Sequence, residues 1–205
     1  AADLTVNAGD LEPGHLAPEP TLDLLPLTLA PFIAAQVAAL QPVALQQGLN
    51  LKYTCRLSPE AVDALTVRVD RTALAQVILN LVKNAFEACK AKAEDDTPLQ
   101  ALPEPAEQNK AEPDLPDVQP DVYLLLEQHG AFVRLTIQDT GCGADAGLQK
   151  KMCSPGFTSK VSGSGIGLWH SQRLVQAMGG RLQFESPGRG KGATVTLQLP
   201  VFVSY

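Results

Sequence analysis

The sequence has few cysteines, and none of them lies in a pattern that would bind zinc or build a disulfide framework. The four cysteines are far apart, with no CxxC pair among them: Cys55, Cys89, Cys142 and Cys153. Closely paired cysteines are typical of zinc sites and of small domains from oxidising compartments. The first fifteen residues also lack the basic start of a signal peptide. Both absences favour the cytoplasm.

The sequence also lacks an apolar run that is long enough to cross a bilayer without interruption. Residues 24–45 carry no charge, but Pro26, Pro31 and Pro42 divide them. The longest part without proline, residues 32–41, is about half of the roughly 20 residues that a membrane span needs. We therefore predict a buried helix near residues 29–41 and no direct membrane insertion of this chain. Whether a longer parent protein is membrane-anchored stays open.

The chain has no surplus of basic residues. Its net charge is −6, and residues 91–120 alone account for that charge, with eight acids and two lysines. The same segment contains six prolines and no aromatic residue. Such a composition buries too little apolar surface to offset the entropy of ordering, so we predict a disordered insertion there. The neutral remainder argues against a nucleic-acid partner.

The patterns along the chain predict both strands and helices. A regular apolar spacing predicts an amphipathic helix over residues 71–90, with Asp70 as its N-cap. A further helix is expected over residues 167–178. Strands are expected at 50–57, 64–70, 122–128, 131–139, 181–186 and 193–200. This order predicts an α+β two-layer sandwich, with a mixed, mostly antiparallel sheet of about five strands and three main helices on one face.

Three glycines alternate in the segment GSGIGL, at Gly163, Gly165 and Gly167. Glycine has no side chain, so backbone N–H groups at such positions can approach a phosphate closely. Two common phosphate motifs do not fit, because no GxxxxGK[ST] string is present and Leu168 replaces the last glycine of GxGxxG. A flexible linker would have the same composition, so this segment alone leaves both interpretations open.

Two asparagines lie one turn apart on the predicted helix 71–90, at the border of its apolar face: Asn80 and Asn84. Asparagine is a poor helix former, so its repetition there is unusual. The pair could cap a neighbouring loop or face solvent. Alternatively, both amides could point into a cleft, where an amide oxygen can ligate a hard cation without adding charge.

The segment IQDTGCGAD, residues 137–145, places Asp139 at the end of a predicted strand and before two glycines. An aspartate in this position often accepts hydrogen bonds only within a local turn. It could equally accept a hydrogen bond from an exocyclic amine of a ligand, while the glycines let a flat ring approach.

Taken together and in this order, these segments resemble one family. NLVKNAFEA resembles the N-box, DTGCG the first glycine box, SPGFTSK the phenylalanine-containing box and GSGIGL the second glycine box, and GRGKGATVTLQLP resembles the closing strand. From about residue 20 to residue 200, the chain is similar to the catalytic and ATP-binding domain of sensor histidine kinases. These belong to the GHKL superfamily, which includes DNA gyrase and the heat-shock chaperone ATPases.

The resemblance implies a Bergerat-type fold that binds ATP and Mg²⁺. Asp139 would bind the adenine amine, and Gly141 and Gly143 would shape its pocket. Asn84 would ligate the Mg²⁺ that bridges the phosphates. Asn80 would lie beside it near the γ-phosphate, as a catalytic residue.

The resemblance also implies a mobile lid over the nucleotide. Lys160 would add positive charge as a second catalytic residue, and Phe157 would anchor the lid. The alternate glycines would present backbone N–H groups to the phosphates at the start of the next helix. The implied nucleotide-binding residues in this part of the chain are Phe157, Thr158, Ser159, Lys160, Gly163, Ser164, Gly165, Ile166, Gly167 and Leu168.

The chain departs from the family's pattern in two places. Glu87 stands three positions after the second asparagine, where many relatives carry a basic residue, and Lys83 is spaced to pair with it. Gly156 precedes Phe157 where relatives have paired phenylalanines, and Cys153 stands where another phenylalanine is common. The second departure predicts a looser lid rather than an inactive one.

Asn80 favours phosphoryl transfer over ATP hydrolysis. The ATPase branches of the superfamily place a glutamate at this position, where it activates water as a base. An amide cannot accept that proton at neutral pH. The γ-phosphate is therefore expected to pass to an acceptor group.

The acceptor is expected outside this chain. His15, His129 and His170 are the three histidines, and none lies in an H-box. Residues 1–20 are interpreted as a linker after a missing dimerisation and phosphoacceptor domain, and residues 21–205 as the ATP-binding kinase domain. The expected partners are that domain and a downstream response regulator, and the isolated chain is expected to be monomeric.

Two alternatives remain open. A serine/threonine kinase of the anti-sigma-factor type shares the same boxes, and its product would carry acid-stable phosphate. A non-catalytic module would bind nucleotide only to regulate a partner. The intact boxes favour a kinase over the second alternative.

Overall fold

The computed structural model describes residues 20–95, 121–152 and 167–203. The strands in these ranges are β1 (Leu25–Thr28), β2 (Leu51–Cys55), β3 (Thr66–Val69), β4 (Val122–His129), β5 (Phe132–Asp139), β6 (Arg181–Glu185) and β7 (Ala193–Pro200). The helices are α1 (Leu29–Gln46), α2 (Pro59–Ala64), α3 (Arg71–Asp95), α4 (Ala146–Met152) and α5 (Gly167–Ala177). The predicted linker up to residue 19 and residues 96–120 of the predicted insertion lie outside the described residues.

The larger sheet has five strands in the order β2-β4-β5-β7-β6. β2 runs parallel to β4, and all other neighbouring strands of this sheet are antiparallel. β4 and β5 form the predicted hairpin, with His129 opposite Phe132 and Gly130 at a φ of 59° in the turn. The prediction of a mixed, mostly antiparallel sheet is therefore confirmed.

Helices cover one face of this sheet. Alternate residues of its central strands are buried on that face: Leu124, Leu126, Leu135, Ile137 and Leu197. α3 and α5 pack on each other and on the sheet, and α1 packs on β2 and α3. One apolar core thus lies between the sheet and the three main helices, which confirms the predicted two-layer α+β fold.

An N-cap and an apolar stripe fix α3 in place. Asp70 Oδ1 accepts the backbone N–H groups of Thr72 and Ala73, both at 2.9 Å. Of the apolar positions that predict this helix, Ala88 is half-buried and the others are buried, namely Leu74, Val77, Ile78, Leu81 and Ala85. The helix continues to Asp95, so the prediction that disorder begins at residue 91 is wrong for the first five residues of that segment.

The prediction that Pro42 ends the first helix is also wrong, because α1 continues to Gln46. Proline inside a helix removes one backbone hydrogen bond. The buried side chains of Leu40 and Ala44, on either side of Pro42, hold this part of the helix against the core. By length and composition alone α1 could also cross a membrane, and 39% of it is buried inside the protein.

Three short elements have no counterpart among the predicted ones: β1, α2 and α4. β1 pairs antiparallel with β3 in a separate two-stranded sheet. α2 begins after Ser58, whose Oγ accepts the N–H of Ala61 at 3.3 Å. These elements have four, six and seven residues, and segments of that length show too few repeats for a period to be recognised.

Removal of the α3 cap should destabilise the fold in a pH-dependent way. Hydrogen bonds from backbone N–H groups hold the pKa of Asp70 below its usual range. The bond from Ala73 has the largest effect, and the bond from Asp23 has the next largest. A lowered pKa stabilises the folded state above the unfolded pKa of about 3.9, and this stabilisation is lost as the pH falls through the folded value. In urea denaturation at pH 7, Asp70→Ala should lower the free energy of unfolding by about 1 kcal/mol. The difference should shrink below about pH 4.

Asp63→Ala provides the matched control, because Asp63 is exposed on α2. We expect this variant to unfold at the same urea concentration as the wild type. An unchanged midpoint for Asp70→Ala, or an equal loss in both variants, would contradict the cap.

Candidate functional site

Two polar or charged residues are buried in the described part of the chain, and both belong to elements that pack on α3. Asp139 is 7% exposed and Ser171 is 2% exposed. Burial of a polar group costs free energy unless the group is hydrogen-bonded. Each of the two therefore identifies a place where the fold supplies specific hydrogen-bond partners.

Asp139 is the last residue of β5, and backbone groups from two loops hold its carboxylate. Its Oδ1 accepts the N–H of Gly141 at 2.9 Å and that of Ala193 at 3.2 Å. Burial raises the pKa of Asp139 above its usual value, and these two hydrogen bonds act in the opposite direction. Within the described ranges Oδ2 makes no hydrogen bond, so one carboxylate oxygen remains for a ligand.

The two loops are the aspartate loop, residues 140–145, and the glycine loop, residues 186–192. They are linked directly, because Gly192 N donates to Gly141 O at 3.0 Å. Both loops leave the same end of the sheet, since Asp139 of β5 lies opposite Ala193 of β7. The register of the sheet therefore places the two donors to Asp139 next to each other.

Ser186 joins the loops through its side chain. Its Oγ accepts the N–H of Ala144 at 2.9 Å and donates to Gly192 O at 2.7 Å. Gln149 on α4 donates from Nε2 to Ser186 O at 2.7 Å. These bonds fix the aspartate loop and the start of α4 against the glycine loop.

Gly141 and Gly143, the predicted pocket glycines, have no room for a side chain. A Cβ at Gly141 would overlap the backbone of Ala88 on α3, and one at Gly143, where φ is 61°, would overlap Gly188 O. Cys142 N also donates to Ala88 O at 3.0 Å. The aspartate loop therefore lies directly on α3.

Asn80 and Asn84 are half-buried on α3, so neither side chain is simply exposed to solvent. Asn80 Nδ2 donates to Ser171 Oγ on α5 at 2.9 Å. A Cβ at Gly167 would lie only 2.7 Å from Asn80 Oδ1, so any other residue there would displace this amide. Asn80 therefore holds the first two turns of α5 against α3.

The start of α5 is the part of the predicted lid region that the structure describes. Gly167 is the first residue of the helix, and Leu168 is half-buried against the core. The other predicted lid residues lie outside the described residues, namely Phe157, Thr158, Ser159, Lys160, Gly163, Ser164, Gly165 and Ile166. Gly156 and Cys153, at which the lid departs from the family, lie there too.

Four residues at four-residue spacing form a stripe along α3: Asn80, Asn84, Ala88 and Lys92. We call them the α3 stripe. Because a helix rises about 1.5 Å per residue, the stripe is about 18 Å long. It connects the start of α5 with the aspartate loop. The two asparagines were predicted as site residues and Ala88 only as an apolar position of the helix, whereas Lys92 was not predicted, although the same spacing leads to it.

Comparison with known proteins identifies the family. Residues 69–202 match the family described as histidine kinase-, DNA gyrase B-, and HSP90-like ATPases. The signal transduction histidine-protein kinase AtoS of Escherichia coli K12 is 33% identical over 135 residues, which are 66% of this chain and 18% of AtoS. The sensor histidine kinase ZraS of the same organism is 27% identical over 195 residues, 95% of this chain and 33% of ZraS. The chain thus spans a third or less of these relatives.

Solved structures show the same fold. The catalytic domain of histidine kinase ThkA is 20% identical with a TM-score of 0.62, covering 87% of this chain and 96% of that one. Full-length ShkA in complex with AMPPNP is 22% identical with a TM-score of 0.66, covering 92% of this chain and 33% of ShkA.

The family match covers more than half of the chain and includes Asp139, both asparagines and the start of α5. The family predicted from the four ordered boxes is confirmed. The chain belongs to the histidine kinase-, DNA gyrase B- and HSP90-like ATPases, and the relatives that it matches within them are sensor histidine kinases.

Proposed function

We propose that this chain is the ATP-binding catalytic domain of a two-component sensor histidine kinase. It would transfer the γ-phosphate of ATP to a histidine on a separate dimerisation domain. One observation carries the proposal: the two buried polar residues, Asp139 and Ser171, lie at opposite ends of the α3 stripe. The first would bind the base of the nucleotide, and the second supports the end that would hold the phosphates.

Asp139 is suited to recognise adenine. Its Oδ1 is saturated by two backbone donors, and its Oδ2 remains available for the exocyclic amine. The backbone of Gly141 and that of Gly143 would form the wall of this pocket. Because the site is buried, water would not replace a hydrogen bond that another base fails to make with Asp139. The unpaired carboxylate oxygen would then weaken binding, which makes the site selective for adenine.

The start of α5 is suited to hold phosphates. The N-terminus of a helix carries a partial positive charge and unpaired N–H groups, both of which favour anions. Gly167 lies at this position, directly beside Asn80. In the proposal, Gly163, Gly165 and Lys160 extend the phosphate site into the lid, and Phe157 anchors that lid.

Asn84 would ligate Mg²⁺ between the phosphates. Its half-buried amide offers a neutral oxygen, and Mg²⁺ at phosphate sites is typically held by one or two protein groups together with phosphate oxygens and water. Such a site needs no cluster of acids, and within the described residues no group of three or more His, Cys, Asp or Glu is placed to hold a metal. The ion would neutralise charge on the phosphates. Asn84 would fix its position.

Asn80 supports transfer rather than hydrolysis. Its Nδ2 is bound to Ser171, and its Oδ1 lies at the start of α5, where the γ-phosphate is expected. An amide cannot take a proton from water, so it positions the phosphate without activating water. Phosphoryl transfer depends mostly on such positioning and on charge neutralisation.

The acceptor and the later partner are part of the proposal. His129 is exposed at the end of β4 and His170 is half-buried on α5, so neither has the setting of a phosphoacceptor. The proposed acceptor is a histidine of an upstream dimerisation domain, and the next partner is a response regulator. ThkA has been solved in complex with the response regulator protein TrrA. A cytoplasmic location fits the three cysteines that are free within the described residues, Cys55, Cys89 and Cys142.

The proposed transfer can be measured with γ-labelled ATP, Mg²⁺ and a separately purified, histidine-bearing dimerisation domain. The label should appear on that domain, should be lost in acid and should survive in base. Acid-stable label on a serine or threonine would favour the anti-sigma-factor type of kinase. Binding of ATP without any labelling of the dimerisation domain would favour a regulatory module.

Asp139→Asn should weaken ATP binding while leaving the free protein at least as stable. The asparagine oxygen can accept the same two N–H groups, but its amide nitrogen would face the adenine amine, donor against donor. Calorimetric titration at pH 7 should show a loss of about ten- to a hundredfold in affinity. As the solution is acidified, Asp139 in the wild type becomes protonated and ATP affinity should fall. Because the pKa of Asp139 is raised, this fall should begin at a higher pH than an aspartate with the usual pKa would give.

The same raised pKa sets the sign of the stability effect. The folded state binds the Asp139 proton more tightly than the unfolded state does. The free energy of unfolding therefore falls as the pH rises from the pKa of Asp139 in the unfolded state to its pKa in the folded state. Asp139→Asn removes that loss, so its melting temperature at pH 7 should equal or exceed that of the wild type. Asp145→Asn, at an exposed position in the aspartate loop, serves as the control and should keep ATP affinity. A lower melting temperature with unchanged ATP affinity in Asp139→Asn would contradict the assignment.

Asn84→Ala should abolish the contribution of Mg²⁺ to ATP binding. Titrations with Mg²⁺ and with EDTA should differ for the wild type and should nearly coincide for the variant. Loss of a group that supports a metal typically costs at least about tenfold in affinity. Gln183→Ala removes an exposed amide on β6 and should behave as the wild type. A full Mg²⁺ effect in Asn84→Ala would remove this residue from the metal site.

A further inference from the structure

Lys92 makes two hydrogen bonds to the loops around Asp139. Its Nζ donates to Thr140 O at 3.1 Å and to Gly190 O at 3.0 Å. Thr140 belongs to the aspartate loop and Gly190 to the glycine loop. One ammonium group on α3 therefore bonds to both loops at once.

These two carbonyl groups lie on the two loops that also supply the donors to Asp139. Thr140 precedes Gly141, whose N–H donates to Asp139 Oδ1, and Gly190 N donates to Cys142 O at 2.7 Å. A shift of either loop would therefore move a hydrogen bond to the carboxylate. Lys92 bonds to the aspartate loop one residue before Gly141 and to the glycine loop three residues before Ala193, the two donors to Asp139.

Lys92 also shares a rigid element with the proposed metal ligand. Lys92 lies eight residues after Asn84 on the α3 stripe, a distance of about 12 Å along the helix axis. The packing of Gly141 on Ala88 lies between them. The helix therefore sets the distance between the loops around Asp139, which would bind adenine, and the part of the site that would bind the phosphates. Lys92 bonds these loops to the helix.

We propose that Lys92 is a positioning residue for adenine recognition, which holds the aspartate loop and the glycine loop at the geometry in which Asp139 binds the base. This inference rests on the proposed function of the site. Lys92 itself does not touch the nucleotide. A lysine is suited to this role because its ammonium offers three donors and its apolar stem can lie along the helix surface.

A purely structural role is the alternative. Lys92 is the basic residue in the last turn of α3, where a positive charge interacts favourably with the helix dipole. That role would change the stability of the helix without changing the recognition of adenine. The two roles can therefore be separated by measuring nucleotide affinity and stability on the same variants.

The test uses Lys92→Met, with Lys92→Arg as the rescue variant and Lys90→Met as the matched control. Lys90 is exposed on α3 two positions before Lys92. Methionine keeps an unbranched apolar stem and a similar helix propensity but removes the donors. The arginine variant keeps donors for both carbonyl groups.

Affinities for ATP, ADP and adenosine are measured by calorimetry, together with the melting temperature. Lys92→Met should lose about tenfold in affinity for all three ligands alike, because the defect lies at the base. Lys92→Arg should recover most of that loss, and Lys90→Met should match the wild type. In phosphotransfer, KM for ATP should rise in Lys92→Met while kcat stays the same. Unchanged affinities, or a loss for ATP but not for adenosine, would overturn the inference.

Hydrogen exchange of the free protein supplies a readout that needs no ligand. In Lys92→Met, the amides of the two loops should exchange faster, whereas those of β5 should not. Faster exchange with unchanged adenosine affinity would overturn the role in recognition. If the wild type itself bound no ATP, the proposed function would fail, and this exchange arm would still decide whether Lys92 fastens the loops.

Discussion

The carboxylate of Asp139 is the constraint on which the rest of the candidate site depends. An ionised group at the buried end of a sheet is costly unless hydrogen bonds compensate it. Here the compensation comes from two backbone N–H groups on two different loops. Both loops must therefore close over β5 and β7 before the group is stable. The arrangement of glycines, of Ser186 and of Lys92 follows from that requirement.

The second constraint is the close approach of two glycines to α3, one to its backbone and one to a side chain. Gly141 leaves room for Ala88 at one end of the stripe, and Gly167 leaves room for Asn80 at the other end. A side chain at Gly141 would push the aspartate loop away from α3, and one at Gly167 would displace the Asn80 amide. α3 thus fixes the distance between the two ends of the site, because the hydrogen bonds of the helix fix its length.

Much of the fold could be predicted because its elements are long and regularly patterned. The apolar spacing of α3 and the alternation in β4, β5 and β7 identified these elements and their buried faces. The course of α1 through Pro42 could not be predicted, because it depends on packing of Leu40 and Ala44 rather than on local preference. Short elements such as β1 were missed for lack of repeats.

The candidate site likewise contains residues that the sequence pattern identifies and residues whose roles arise only from the fold. Asp139, Asn80 and Asn84 were recognisable because each is a polar residue at a patterned position beside glycines or apolar residues. Ser171 and Lys92 carry no such signal, and their roles arise only when α5 and the two loops meet α3. The donor at Ala193 is a backbone group, so its role is set by the register of β7 and not by its side chain.

The strand β6 is an outer strand of the five-stranded sheet, with one backbone edge unpaired within the described residues. An open edge of this kind can recruit a strand from another molecule. β6 is short, and its exposed side chains include a charge at each end, Arg181 and Glu185, with Gln183 between them. Short, charged edges disfavour such strand addition. The sheet is thus protected against growth into fibres at β6.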